Sequence, residues 1–168
     1  RKIKVLFVKA DVSVADDVDD IFEIAKENGL KIKGIIHSAG VLDDAVIRNQ
    51  TAEKFRNVLE PKAKSAWLLY ERTKKSALQF YIMYSSIASV LGSAGQANHS
   101  SANSFLDSLS KFIQAKGLKA MSINWGVWSE IGSAAEKGAD KQEKISGVET
   151  ISPSEGIRAL KKIFDSNI

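Results

Sequence analysis

Cysteine is absent from the 168 residues, and with it disulfides, thiolate nucleophiles and any zinc site with sulfur ligands. That fits a reducing compartment, and a cytoplasmic location is expected. Only two histidines, His37 and His99, and two prolines, Pro61 and Pro153, occur. Neutral-pH imidazole chemistry and proline breaks are each confined to two places. No G-x-G-x-x-G turn is present, so the chain lacks the glycine turn that cradles a pyrophosphate at a helix N-terminus. The longest apolar stretches, "KGIIHSAGVL" and "ALQFYIMYSSIASVLG", are broken by polar residues short of bilayer length, so no membrane partner is expected. Lys and Arg outnumber Asp and Glu by 24 to 20, but the cations are scattered and not interleaved with aromatics, which argues against a nucleic-acid partner. An initiator Met and a signal peptide are also lacking, and a strand-like segment begins at once, as expected for a piece of something longer.

What is there reads as one globular domain, with 44% hydrophobic and 26% charged residues. "VLFVKADV" predicts a buried strand, followed by a helix that Ser13 and Asp16 would cap and Gly29 would end. "KIKGIIHSAG" predicts a second strand. Thr51 can cap a helical region reaching about Lys74, interrupted or restarted at Pro61 because proline lacks a backbone donor. "LQFYIMYSS" and "KAMSINWG" predict two further strands, and between them apolar residues from Ala102 to Ile113 recur at helical spacing up to Gly117. Segment 129–148, rich in glycine and mixed charge, is expected to be a mobile loop, and "SPSE" at 152–155 is a capping-box helix start. Alternating strands and helices predict an α/β fold with a doubly wound, mostly parallel sheet, in which ligands sit beyond the carboxyl ends of the strands.

The strand exits "ADVS", "HSAGVLDD", "YSSIASVLGSAGQAN" and "INWGVW", with "PKAKSAWLL" and "ANSFLD" between them, resemble the ketoreductase domains of modular polyketide synthases and animal-type fatty acid synthases. These domains are a branch of the short-chain dehydrogenase/reductase superfamily. The resemblance covers nearly the whole chain in order, and implies a Rossmann-like fold that is N-terminally incomplete here, residues 1–168 being the C-terminal portion of one such domain. It implies hydride transfer from NADPH to a β-ketoacyl chain on an acyl carrier protein, with that carrier and neighbouring synthase domains as partners. By motif, the catalytic positions fall on Lys62, Ser86, His99 and Asn103. Asn103 with Lys62 favours the synthase branch, since many stand-alone relatives carry lysine at the former position. Asp11 and Val12 would meet the adenine, and Ser38, Ala39, Gly40 and Lys62 the ribose and nicotinamide end. The glycine-rich turn, and the residues that choose NADPH over NADH, would lie upstream. Segment 129–148 would be a substrate lid, and "VLDD" at 41–44 with Leu91 resembles the B-type stereochemical pattern.

His99 occupies the family's tyrosine slot. Three readings stay open: a working histidine acid, a reductase impaired by loss of the phenol, or a scaffold residue. Structural readings of the other residues also stand: Ser86 as a strand-exit cap, Lys62 and Asn103 as ordinary helix residues, His37 as a backbone-holding residue. The alternative is that the whole chain is an inactive structural or interaction module of a synthase. Serine hydrolysis by Ser86 with His99 has little support, because no G-x-S-x-G elbow or orienting acid is present.

Overall fold

The computed structural model describes residues 3–130 and 149–166. Three strands, β1 (Gly34–His37), β2 (Phe80–Ser86) and β3 (Ala120–Trp125), form one sheet in that order, all parallel. Parallel neighbours need crossovers. The β1 to β2 connection carries α2 (Ala52–Leu59) and α3 (Ser65–Thr73), and the β2 to β3 connection carries a short α4 (Ala88–Leu91) and the long α5 (Ala97–Ala115). α1 (Ala15–Glu27) precedes the sheet and α6 (Pro153–Asp165) follows it.

β2 is central and buried on both faces, which is why its sequence is apolar at successive rather than alternate positions. Tyr81 and Met83 point to one face, where they meet Ala66 and Tyr70 of α3 and Leu106, Leu109 and Ile113 of α5. Ile82 is buried toward the other face, where Phe80 meets Phe164 of α6 edge-on with ring centroids 5.0 Å apart. The sheet is therefore covered on both sides, as the doubly wound reading requires. Burying each such side chain contributes about 1.5–3 kcal/mol. α6 begins as "SPSE" predicts: Ser152 and Glu155 close a reciprocal capping box with Pro153 in the first turn. Trp128 packs so near Gly156 that a Cβ there would lie 2.0 Å from the indole, so the first turn of α6 needs glycine.

Two expectations are corrected. The stretch 5–12 forms no strand: residues 3–10 pair with nothing in the sheet, and Ile3 and Phe7 are 82% and 91% exposed. A β-branched run becomes a strand only where a neighbouring ladder receives it, and β1 pairs with β2 alone. Ser13 does not cap α1, whose N-cap is Val14. Its hydroxyl and its amide both donate instead to Asp11 Oδ1, at 2.7 and 2.9 Å, closing an Asx-type turn. Thr51 does cap α2, accepting from Lys54 N at 3.2 Å.

Pro61 acts as expected of a helix breaker, in a specific way. Between α2 and α3 the chain widens into a π-helical turn, Glu60–Lys64, in which Ser65 N–H reaches back five residues to Glu60 O. Proline offers no N–H for an α-helical bond and its ring crowds the carbonyl four residues back, and the wider turn relieves both. All but the first two residues of the expected lid, 129–148, lie outside the described residues.

Candidate functional site at the strand exits

The carboxyl ends of β1 and β2, the π-helical turn and the first turns of α5 converge. Lys62, in the π-helical turn, is only 7% exposed, and its Nζ donates to Tyr84 O of β2 at 2.8 Å. Burial pulls its pKa down to about 8, against the opposing charge of Asp107. Gly40, beyond β1, lies over the same side chain: a Cβ there would sit 3.2 Å from Lys62 Cε and 3.5 Å from Nζ. The backbone at Gly40 thus passes directly beside the lysine head.

His37 ends β1, is 3% exposed, and its Nε2 lies 2.6 Å from Ser65 Oγ. Ser65 has one hydroxyl proton and Pro61 O accepts it at 2.6 Å, so Nε2 carries the ring proton and Nδ1 is left without a partner. Burial, reinforced by the Lys62 charge, lowers the His37 pKa to about 4. His37 is a neutral brace between β1 and Ser65 at the start of α3, and the contact it makes is to a side chain.

His99 sits in the first turn of α5, with Nδ1 buried and unpartnered. Burial, and next the Lys62 charge, lower its pKa to about 4 against an opposing pull from Asp44. The ring is neutral at pH 7. Asn103 lies one turn further along, fully buried, donating from Nδ2 to His99 O at 2.8 Å while its Oδ1 has no partner. The helical spacing thus unites His99 with Asn103, and the electrostatic influence of Lys62 reaches His99. Ser86 closes β2, where its Oγ accepts from Ala88 N at 3.2 Å. No hydrogen bond joins Ser86 to the His99 ring among the described residues.

Asp11, Ser13, Val41, Leu42, Glu60 and Pro61 share one open groove, so the "ADVS" turn and the β1 exit border the same space. Val12 is half-buried. Asp11 is exposed, and hydrogen bonds from the Ser13 amide and hydroxyl hold its carboxyl below the usual carboxylate range.

Several residues that hold this arrangement were not singled out in the sequence. Asn98 is fully buried and donates to Asp43 O at 2.8 Å and Lys54 O at 3.2 Å, tying the "VLDD" loop and α2 to the start of α5. Asp107, Ser85 and Asn124 form a polar cluster under the β2 exit. For Asp107 a signal existed: 99, 103 and 107 are spaced by four and fall on one stripe of α5.

A parallel α/β sheet with this polar cluster at its strand exits defines a Rossmann-type unit. Residues 1–130 match the KR domain family model, and the chain belongs to that family. It is 44% identical over 133 residues to polyketide synthase GfsB of Streptomyces halstedii, covering 77% of this chain and 2% of the synthase. It is 37% identical over 163 residues to the phenolphthiocerol synthesis polyketide synthase type I Pks15/1 of Mycobacterium marinum, covering 95% and 8%. Among solved structures, an A1-type ketoreductase superposes with TM-score 0.89 at 27% identity, covering 96% of this chain and 34% of that one. A ketoreductase domain from the bacillaene assembly line superposes with TM-score 0.83 at 31% identity, covering 98% and 41%. The chain therefore spans a small fraction of the matched synthases and less than half of these two ketoreductase chains.

Proposed function

We propose that this chain bears the reductive site of a polyketide synthase ketoreductase, acting with NADPH on a β-ketoacyl group presented by an acyl carrier protein, and that its turnover is limited by His99. The observation that carries the reading is the convergence of the buried Lys62 ammonium, the Gly40 backbone, and His99 with Asn103 at one set of strand exits. Neighbouring synthase domains are the remaining partners, and a cytoplasmic setting goes with them. Among the described residues no helix is long and apolar enough to cross a membrane.

NADPH fits this chain in part. Gly40 leaves room for close approach beside Lys62, and Asp11 borders the groove assigned to the adenine side. Nothing in the sequence supplies a glycine turn for the pyrophosphate. When bound, the cofactor supplies the hydride that adds to the ketone carbon as the carbonyl electron pair moves to oxygen. The chain's own part is to receive that oxygen and give it a proton. Ser86 Oγ and the side chain at position 99 are the donors assigned to the oxygen, Lys62 sets the local positive potential, and Asn103 anchors the first turn of α5 through His99 O.

A second reading, an inactive module that serves assembly, is favoured by the His99 ring itself: it is neutral, half-buried and without a hydrogen bond to Ser86. The test is NADPH-dependent reduction of a β-ketoacyl thioester by this chain joined to a glycine-rich βαβ unit. Measurable reduction that disappears on Lys62→Ala supports the enzyme. Absence of reduction in both the unsubstituted and the His99→Tyr forms leaves the assembly reading.

A further inference from the structure

Three contacts run in reverse order between the loop after β1 and the chain entering α5. Ala45 N donates to Gly95 O at 2.9 Å, Gln96 Nε2 lies 3.3 Å from both carboxylate oxygens of Asp44, and Asn98 Nδ2 donates to Asp43 O at 2.8 Å. The two segments are thus seamed side by side, antiparallel. The first two contacts join half-buried or exposed residues, whereas Asn98 is fully buried. Asn98 also engages every polar atom of its side chain: Nδ2 donates a second time, to Lys54 O of α2 at 3.2 Å, and Oδ1 accepts from His99 N at 2.8 Å. That N–H needs an acceptor from outside the helical ladder. The first amides of a helix have no partner within it, Ser100 N is the one that reaches Gln96 O, at 2.8 Å, and the N-cap Gln96 provides no side-chain cap.

We propose that Asn98 is a positioning residue: its buried carboxamide holds the backbone of residue 99 against Asp43 of the "VLDD" loop and against α2, so that the side chain at 99 keeps one orientation and moves only together with that loop. This rests on the reading that position 99 faces the substrate oxygen. A first helical turn frays more easily than any other part of the helix. The ring at 99 has little of its own to resist this, since its Nδ1 has no partner and no hydrogen bond joins it to Ser86 among the described residues. Its direction is therefore set by where its own backbone is held. Asn98 holds that backbone from the adjacent position and anchors it to two elements more than forty residues away in the chain. The donor and the loop that walls the same strand exits then form one body, and a displacement of either is felt by the other.

The experiment uses NMR of the full chain labelled with 13C,15N-histidine, in which only His37 and His99 report, the latter assigned by its loss in His99→Gln. In Asn98→Ala the three-bond couplings of His99 should average over χ1 rotamers and its amide should exchange about tenfold faster. His37, braced separately to Ser65, should change in neither respect. Asn98→Asp keeps an acceptor for His99 N and loses both donors, which separates a tether from a helix cap: the amide should stay protected while the couplings still average. Unaveraged His99 couplings in a folded form of either variant overturn the proposal, and so does equal averaging at His37. Loss of the fold in both variants overturns it too, for Asn98 would then serve the fold alone. In the unsubstituted chain, also labelled with 15N-asparagine, the Asn98 carboxamide protons should exchange slowly, and exchange at the rate of an exposed asparagine would count equally against it. Because no turnover is measured, the outcome is independent of whether the chain reduces a ketone.

Discussion

Replacing His99 with tyrosine isolates what the imidazole costs the reaction. With its pKa lowered to about 4 by burial and by Lys62, the ring at pH 7 carries its second proton in about one molecule in a thousand. An imidazolium acid is therefore about 4 kcal/mol out of reach before any chemistry begins. Were it the acid, the rate would rise about tenfold for each unit the pH falls between about 8 and 6.5, the range over which the lowered pKa keeps the ring neutral. A phenol in the same slot is fully protonated across that range and beside the Lys62 charge, so His99→Tyr is expected to raise reduction of a β-ketoacyl thioester by about 10²-fold or more at pH 7. Lys62→Ala added to that variant should remove most of the gain. The assay is loss of NADPH absorbance with the chain joined to a glycine-rich βαβ unit. Equal, appreciable rates in the two forms with a flat pH profile would mean that residue 99 is not the proton donor, and the assignment of the site would fail.

Other outcomes follow from the same structure. The chain alone should bind NADPH weakly, because no glycine turn cradles the pyrophosphate, and a calorimetric dissociation constant below micromolar would contradict this. His37 is protonated more readily unfolded, near pH 6.5, than folded, near 4. Stability is therefore full above about 6.5 and declines as the pH falls toward 4, by up to about 3 kcal/mol at about 1.4 kcal/mol per unit. His99, lowered to about 4 as well, adds a similar loss over the same window, so urea melts should show about twice the pH-dependent loss in the unsubstituted chain as in a folded His37→Asn variant, and equal slopes with pH would refute the assignment. Ser152→Ala, which opens the capping box of α6, should cost about 0.5–2 kcal/mol, and an unchanged denaturation midpoint would show that α6 contributes little to the cooperative fold.

Much of this was legible in the chain because its signals are local. Thr51, Pro61 and the Ser152 box act on backbone groups within one turn, and the 3.6-residue period fixed the buried face of α5. The exits of β1 and β2 could be placed because polar residues follow apolar runs. What escaped was non-local. Whether "VLFVKADV" becomes a strand depends on a ladder partner, which hydrophobicity does not reveal. Ser13 had two acceptable uses, a helix cap or a turn with Asp11, and the difference lies in a hydrogen bond or two. Asn98 and Asp107 serve elements far from them in sequence, so only their spacing from His99 on α5 hinted that they belong to the site.

The wide turn at Glu60–Lys64 has a further consequence. A regular α-helix turns about 100° per residue, so one additional residue in a single turn throws everything downstream out of phase with everything upstream by that angle. Val58 and Ala66 both reach buried positions because α2 and α3 follow two separately phased helices, and Lys62 lies at the seam where the phases change. The lysine is thus addressed by residue count as much as by residue type: shortening the segment by one would turn α3 by about 100° relative to α2 and swing the ammonium away from Tyr84.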